Sequence, residues 1–141
     1  MFDEFVTFDI SKKLKDKDFR LSCIANYSNG VLLYNTNQFR GSSVEECLKS
    51  FNTLNDVESM YIGFKNVIDA PTIAQVLKWL RETKGLYVDI SLCKKGYYSI
   101  VYETNFPDNK DYANSWYIDG LSETYEQAAI ACIEYVLNNL I

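Results

Sequence analysis

Four cysteines stand at positions 23, 47, 93 and 132. The chemistry open to thiols, metal ligation or disulfide exchange, needs them paired at short spacing, and no Cys-x-x-Cys pair occurs. Each is read as a small buried hydrophobe with a free thiol, as expected in a reducing compartment. The chain has no histidine. Nucleophilic sites of the Ser-His-Asp or Cys-His kind, imidazole-ligated zinc or haem, and histidine proton shuttles are therefore out. Carboxylates offer no replacement. Glu45 and Glu46 are adjacent, so on a helix they do not face one another. Asp108-Asn109-Lys110-Asp111 lacks the glycine and closing glutamate of a calcium loop. No glycine-rich phosphate loop is present. The expectation is a protein with no catalytic residues, no metal and no cofactor.

Recognition chemistry is better represented. Between residues 103 and 120, Phe106, Tyr112, Trp116 and Tyr117 alternate with Asp108, Asp111 and Asp119. Rigid aromatic groups inside a charged rim are what protein-binding hot spots are made from. The competing reading puts Trp116 and Ile118 on the inner face of a strand and leaves the acids in a solvated loop. Charge can be read two ways, as a surface for a basic partner or as acids that keep the protein soluble. Residues 1–102 carry 13 Lys/Arg against 12 Asp/Glu, whereas residues 103–141 carry seven acids against Lys110 alone. The last third thus carries −6, and the rest of the chain +1, within the net charge of −5. Such an end repels nucleic-acid phosphates and attracts basic proteins. Trp79 and Arg81 are read as sheet packing and surface pairing.

The elements that must position these groups follow from patterning. At 141 residues, 48% hydrophobic, the chain suits one globular domain. The pattern predicts an α+β fold in which two helix-strand-strand-helix half repeats form one compact domain, its helices packed on antiparallel sheet. The first half spans about residues 9–52, a connecting strand about 58–65 and the second half about 70–141. In both halves a helix closing on Leu14-Lys15-Asp16 or Leu80-Arg81-Glu82 precedes a hairpin, turning at Asn29-Gly30 or Lys95-Gly96. Phe19, Leu21, Cys23 and Ala25 alternate as Leu86, Val88, Ile90 and Leu92 do, leaving Tyr87, Asp89 and Ser91 on the wetter face. Each half closes on a capping box, Ser43 to Glu46 and Thr124 to Gln127. Phe5-Val6-Thr7-Phe8 is a candidate edge strand, and Ser115-Trp116-Tyr117-Ile118 an added one.

Pro71 suits the first position of a central helix, and Gly85 the left-handed residue beyond its end. Ile73, Val76, Leu77 and Leu80 form one apolar stripe, with Trp79 at its border. The final helix, from Ser122 to about Leu140, is apolar nearly all round, so burial on several sides or self-association is expected; Val136→Ala there is expected to cost about 2 kcal/mol on unfolding. The second half has the helix-strands-helix order of a double-stranded-RNA-binding domain. Such domains need a basic start to the closing helix, and here it reads Ser122-Glu123-Thr124-Tyr125-Glu126.

The combination of Ala70-Pro71-Thr72, Trp79-Leu80-Arg81-Glu82 and Thr124-Tyr125-Glu126-Gln127-Ala128 resembles a family of small proteins encoded by phages, prophages and metagenomes of gut bacteria. Lys12-Lys13-Leu14-Lys15-Asp16-Lys17 is similar to that family's first helix, and the likeness covers about residues 10–26 and 70–140. This chain has Lys84-Gly85 where the family often has a His-Asn pair. The resemblance implies phage origin and supplies no catalytic residues. With no signal-peptide pattern at Met1-Phe2-Asp3-Glu4-Phe5, and no apolar run longer than Ala128 to Ile133, the expected place of action is the cytoplasm of the bacterial host cell. The expected function is non-enzymatic: a module that binds a protein, such as a basic nucleic-acid-binding component of a host defence complex, and inhibits it. The alternative is a homo-oligomeric structural or virion-associated protein. Membrane association is not expected, and direct nucleic-acid binding is disfavoured.

Overall fold

A computed structural model describes residues 4–34, 67–104 and 112–141. The fold is α+β, with three helices and two three-stranded antiparallel sheets among the described residues. The chain divides into two compact units, one covering Phe5–Thr72 and the other built mainly from Ile73–Ile141.

In the first unit, α1 (Phe8–Asp16) is capped by Thr7, whose hydroxyl accepts the Ile10 amide at 3.3 Å. Ile10, Ser11 and Leu14 are its buried side. At its far end the Phe19 amide reaches the Leu14 carbonyl at 3.1 Å and the Asp18 amide reaches that of Lys15 at 3.4 Å, a Schellman closure. Asp18 holds the left-handed position, with φ +62°. A non-glycine residue there bears a steric cost of about 1 kcal/mol, and the exposed Asp18–Arg20 ion pair returns little of it. Asp18→Gly is accordingly expected to raise the unfolding free energy by about 0.5–1 kcal/mol, read from urea melts.

This closure corrects the strand expected over residues 19–25. Because the Phe19 amide is committed to the helix end, the chain runs irregularly until β1 (Ala25–Ser28). Phe19 and Cys23 are still buried, while Leu21 and Ile24 are exposed. β1 pairs with β2 (Val31–Tyr34) through Asn29 and Gly30, both at positive φ as a type I′ turn demands. β3 (Val67–Asp69) lies on the other side of β1. Phe5, Ala25 and Ala70 form a cluster completed by Tyr27 and Leu32, and the Tyr27 hydroxyl donates to the Val6 carbonyl at 2.6 Å. The expected edge strand at residues 5–8 reduces to a single bridge, Phe5 to Thr72, because Thr7 is occupied as the cap.

The second unit runs α2 (Ile73–Thr83), β4 (Leu86–Cys93), β5 (Gly96–Thr104), β6 (Tyr112–Ser122) and α3 (Tyr125–Asn139). α2 begins two residues later than Pro71 suggested. The Pro71 carbonyl accepts the Val6 amide and Thr72 bridges to Phe5, so neither is free to start the helix. Ile73, Val76, Trp79 and Leu80 are buried along α2, placing Trp79 inside the stripe rather than at its border. Gly85 stands just past its end at φ +67°, as expected, and its carbonyl accepts the Thr104 amide at 2.8 Å.

The strands form a meander, β4-β5-β6, and the Ser115–Ile118 segment is the middle of a longer strand than expected. The turn before β5 is Lys94-Lys95 rather than Lys95-Gly96, since Gly96 already pairs with Cys93. A side chain at Gly96 would stand 2.6 Å from the Ser122 carbonyl oxygen, which explains glycine there. α3 starts three residues after Ser122 and is capped by Thr124 as its sequence predicts, but Gln127 reaches back to the residue before the cap. Thr124 accepts the Gln127 amide, and the Gln127 side chain accepts the Glu123 amide, each at 3.1 Å. α3 packs on α2 and on all three strands. Its buried residues are Ala128, Ala129, Cys132, Ile133, Val136 and Leu137, while Glu134, Asn138 and Asn139 face solvent.

Both units place a helix before a hairpin. The hairpins differ, with four-residue strands in the first unit and strands of eight and nine residues in the second. The closing helix expected from Ser43 and the connecting strand expected over 58–65 lie outside the described residues.

Candidate protein-binding face

Pairing register sorts the side chains of the larger sheet. Val88, Val101 and Trp116 are cross-strand partners, as are Ser99 and Ile118. Val101, Ser99, Ile118 and Leu86 are buried, so this is the side covered by α2 and α3. The opposite side carries Tyr87 beside Tyr102, Asp89 beside Ile100, and Ile100 beside Tyr117. Tyr98, beside Ser91, lies diagonally from Tyr117 on this outer face. Their rings stack at 6.0 Å with an interplanar angle of 28°. Tyr117 is 56% exposed and Tyr87 47%. Asp89 accepts a hydrogen bond from the Ser91 hydroxyl at 3.3 Å. No lysine or arginine occurs among the described residues of the three strands.

The sequence candidates separate on this frame. Tyr117 stands on the outer face. Asp119 is exposed where β6 enters an irregularity marked by Gly120, at φ +95°. Trp116 is half-buried on the helix-covered side with Ile118, opposite the buried Val101. Tyr112 begins β6 opposite Thr104. Phe106, Asp108 and Asp111 lie outside the described residues. Tyr98, Tyr87 and Tyr102 complete the aromatic face and were not among the candidates. The signal for them lies in the sequence, since alternation puts Tyr87 on the wetter side of its strand and the same alternation in β5 groups Tyr98 with Tyr102.

No family model, curated protein or solved structure matches the chain.

The thiols do not enter this face as a group. Burial pushes the Cys132 thiol up to about 11 from its ordinary 9.0, partly offset by a hydrogen bond with Ser99. Burial, reinforced by the Asp69 carboxylate, pushes Cys23 higher still. Cys93 is exposed at the end of β4. Among the described residues, no group of three or more His, Cys, Asp and Glu is placed to hold a metal ion. No described helix is long and apolar enough to cross a membrane.

At neutral pH, iodoacetamide is expected to label Cys93 in the native protein and to spare Cys23 and Cys132, as read by mass spectrometry. The linkage has a definite sign. Below the ordinary pKa both folded and unfolded thiols hold their proton. Above it the unfolded thiol ionises first, so stability falls as pH rises from about 9 toward about 11. A urea midpoint unchanged across that window would contradict the burial, and Cys132→Ala is expected to remove part of the slope.

Proposed function

We propose that the chain is a non-enzymatic protein-binding module whose contact surface is the outer face of β4-β5-β6. Its partner is a basic, nucleic-acid-binding protein. The resemblance to phage-encoded proteins supports a partner that belongs to a host defence complex, inhibited by occupation of its nucleic-acid channel. The observation that carries this reading is the solvent-facing Tyr98–Tyr117 stack on a sheet bearing Asp89 and no described cation. Aromatic platforms that bind single-stranded nucleic acid set their rings in a positively charged groove that tracks the phosphates. This platform has the rings with Asp89 and Asp119 and no cation among the described residues of its strands, Lys94 and Lys95 standing in the turn between β4 and β5. The helix-strands-helix order of a double-stranded-RNA-binding domain is present, yet α3 starts beside Glu123 and Glu126, which repel a phosphate backbone. Self-association through the last helix loses its motive, because the apolar side of α3 is covered by α2 and the sheet.

The test is affinity capture from a bacterial lysate, followed by mass spectrometry, with Asp89→Lys and Asp119→Lys proteins alongside. The expected result is a basic partner, retained by the wild type and lost by the charge-reversed protein. Retention should also weaken as salt rises from about 0.1 to 1 M, where the screening length shrinks from ~10 to ~3 Å. Retention of the same partner by the charge-reversed protein would remove the electrostatic half of the reading.

A further inference from the structure

β4 is the one long, regular strand edge among the described residues. All eight of its residues, Leu86 to Cys93, pair with β5 in unbroken register, and among the described residues it has no strand on its other side. The opposite edge, β6, meets β5 with two register shifts and carries Gly120, and β2 at the edge of the smaller sheet is only four residues long. Proteins protect exposed edges with lysine, proline, bulges or short length. Leu-Tyr-Val-Asp-Ile-Ser-Leu-Cys has none of these, and its single charge is Asp89.

We infer that the β4 edge takes up an extended segment of the partner by strand addition, with a lysine or arginine of that segment opposite Asp89. This rests on the reading of the protein as a module for a basic partner and names how that partner is held. Main-chain hydrogen bonds to the edge supply affinity, and the side chains that alternate along the added strand supply selectivity. A residue directly across from Asp89 has its Cβ about 4.5–5.5 Å away, near enough for an opposite charge to favour the pairing and a like charge to oppose it. Two positions along, on the same face, Tyr87 offers a half-exposed ring to the incoming strand. A second copy of this chain is the poorer occupant, because it brings its own net charge of −5 to the edge.

The probe is a synthetic peptide of alternating valine and threonine, as long as β4, with a central lysine; its twin has glutamate at that place. Titrated into the full, isotope-labelled protein, the lysine peptide is expected to shift amide resonances of residues 86–93 and to slow exchange at alternate amides there. Its affinity should exceed that of the glutamate peptide about tenfold, a difference of about 1.4 kcal/mol. Asp89→Asn should abolish the preference while resonances outside β4 keep their positions, which also shows that the variant is folded. Three results overturn the inference: shifts confined to Tyr98 and Tyr117 with β4 unmoved, equal or absent binding of the two peptides, or concentration-dependent β4 shifts in the protein alone, which indicate a second copy at the edge. The broader reading fails separately, if alanine at Tyr98 and Tyr117 leaves partner capture intact.

Discussion

Leu80→Ala is expected to lower the unfolding free energy by about 3–5 kcal/mol. Leu80 has no solvent-exposed surface and lies on the stripe of α2 that also buries Val76 and Trp79. Truncation removes apolar contact and leaves a cavity. α2 packs on both β4 and α3, so closing that cavity would have to move more than one element. For a unit of this size such a loss lowers the melting temperature by about 10 °C or more. Urea unfolding followed by tryptophan emission measures it well, because Trp79 is 5% exposed on the same helix face and its surroundings change when α2 detaches. Leu121→Ala is the control: that side chain is 46% exposed, and its loss should stay near 0.5 kcal/mol. A Leu80→Ala cost below about 1 kcal/mol would mean that α2 is not held against the sheet.

Local chemistry was the most legible part of the fold. Asn29-Gly30, Gly85 and the Thr124-to-Gln127 box act within a few residues of themselves, so their sequence signals translate directly into the turn, the helix end and the cap. What failed depended on groups far apart in the chain. Pro71 reads as a helix start until residues 5 and 6 claim its neighbourhood. The alternation at residues 19–25 reads as a strand until the Phe19 amide is taken by the end of α1. The candidate face shows the same division. Alternation alone put Tyr87 and Asp89 on the wetter side of β4. That Tyr98 meets Tyr117, and that Trp116 turns inward, depends on how β5 and β6 register across the residues that join them. Sequence composition does not set that register, and one step of slip exchanges the two faces. Composition therefore marks the aromatic-acidic segment but not the side that Trp116 and Tyr117 take.

Replacing Tyr98 and Tyr117 together with alanine is expected to weaken partner binding at least about 100-fold, or ~2.7 kcal/mol, with little change in stability. The rings lie on the side of the sheet away from α2 and α3, so their removal opens no cavity in the core formed by Val101, Ile118 and Ile133. Each single substitution is expected to cost about 25-fold, or ~1.9 kcal/mol, so that the double substitution costs less than the sum of the two. The two should also be coupled, because the rings stack on one another and losing either frees the other to leave its binding position. A coupling energy of about 0.5–1.5 kcal/mol in a double-mutant cycle is the signature of such a pair. Phenylalanine at both positions keeps the stack and removes only the hydroxyls, so it separates a platform that binds by area from one that binds by hydrogen bonds. Trp116→Phe supplies the complementary contrast. That ring faces the helices, so its substitution should lower stability modestly and leave binding unchanged. If instead Trp116→Phe abolishes binding while the tyrosine pair is dispensable, the partner does not contact the outer face, and the interaction must be assigned to another part of the chain.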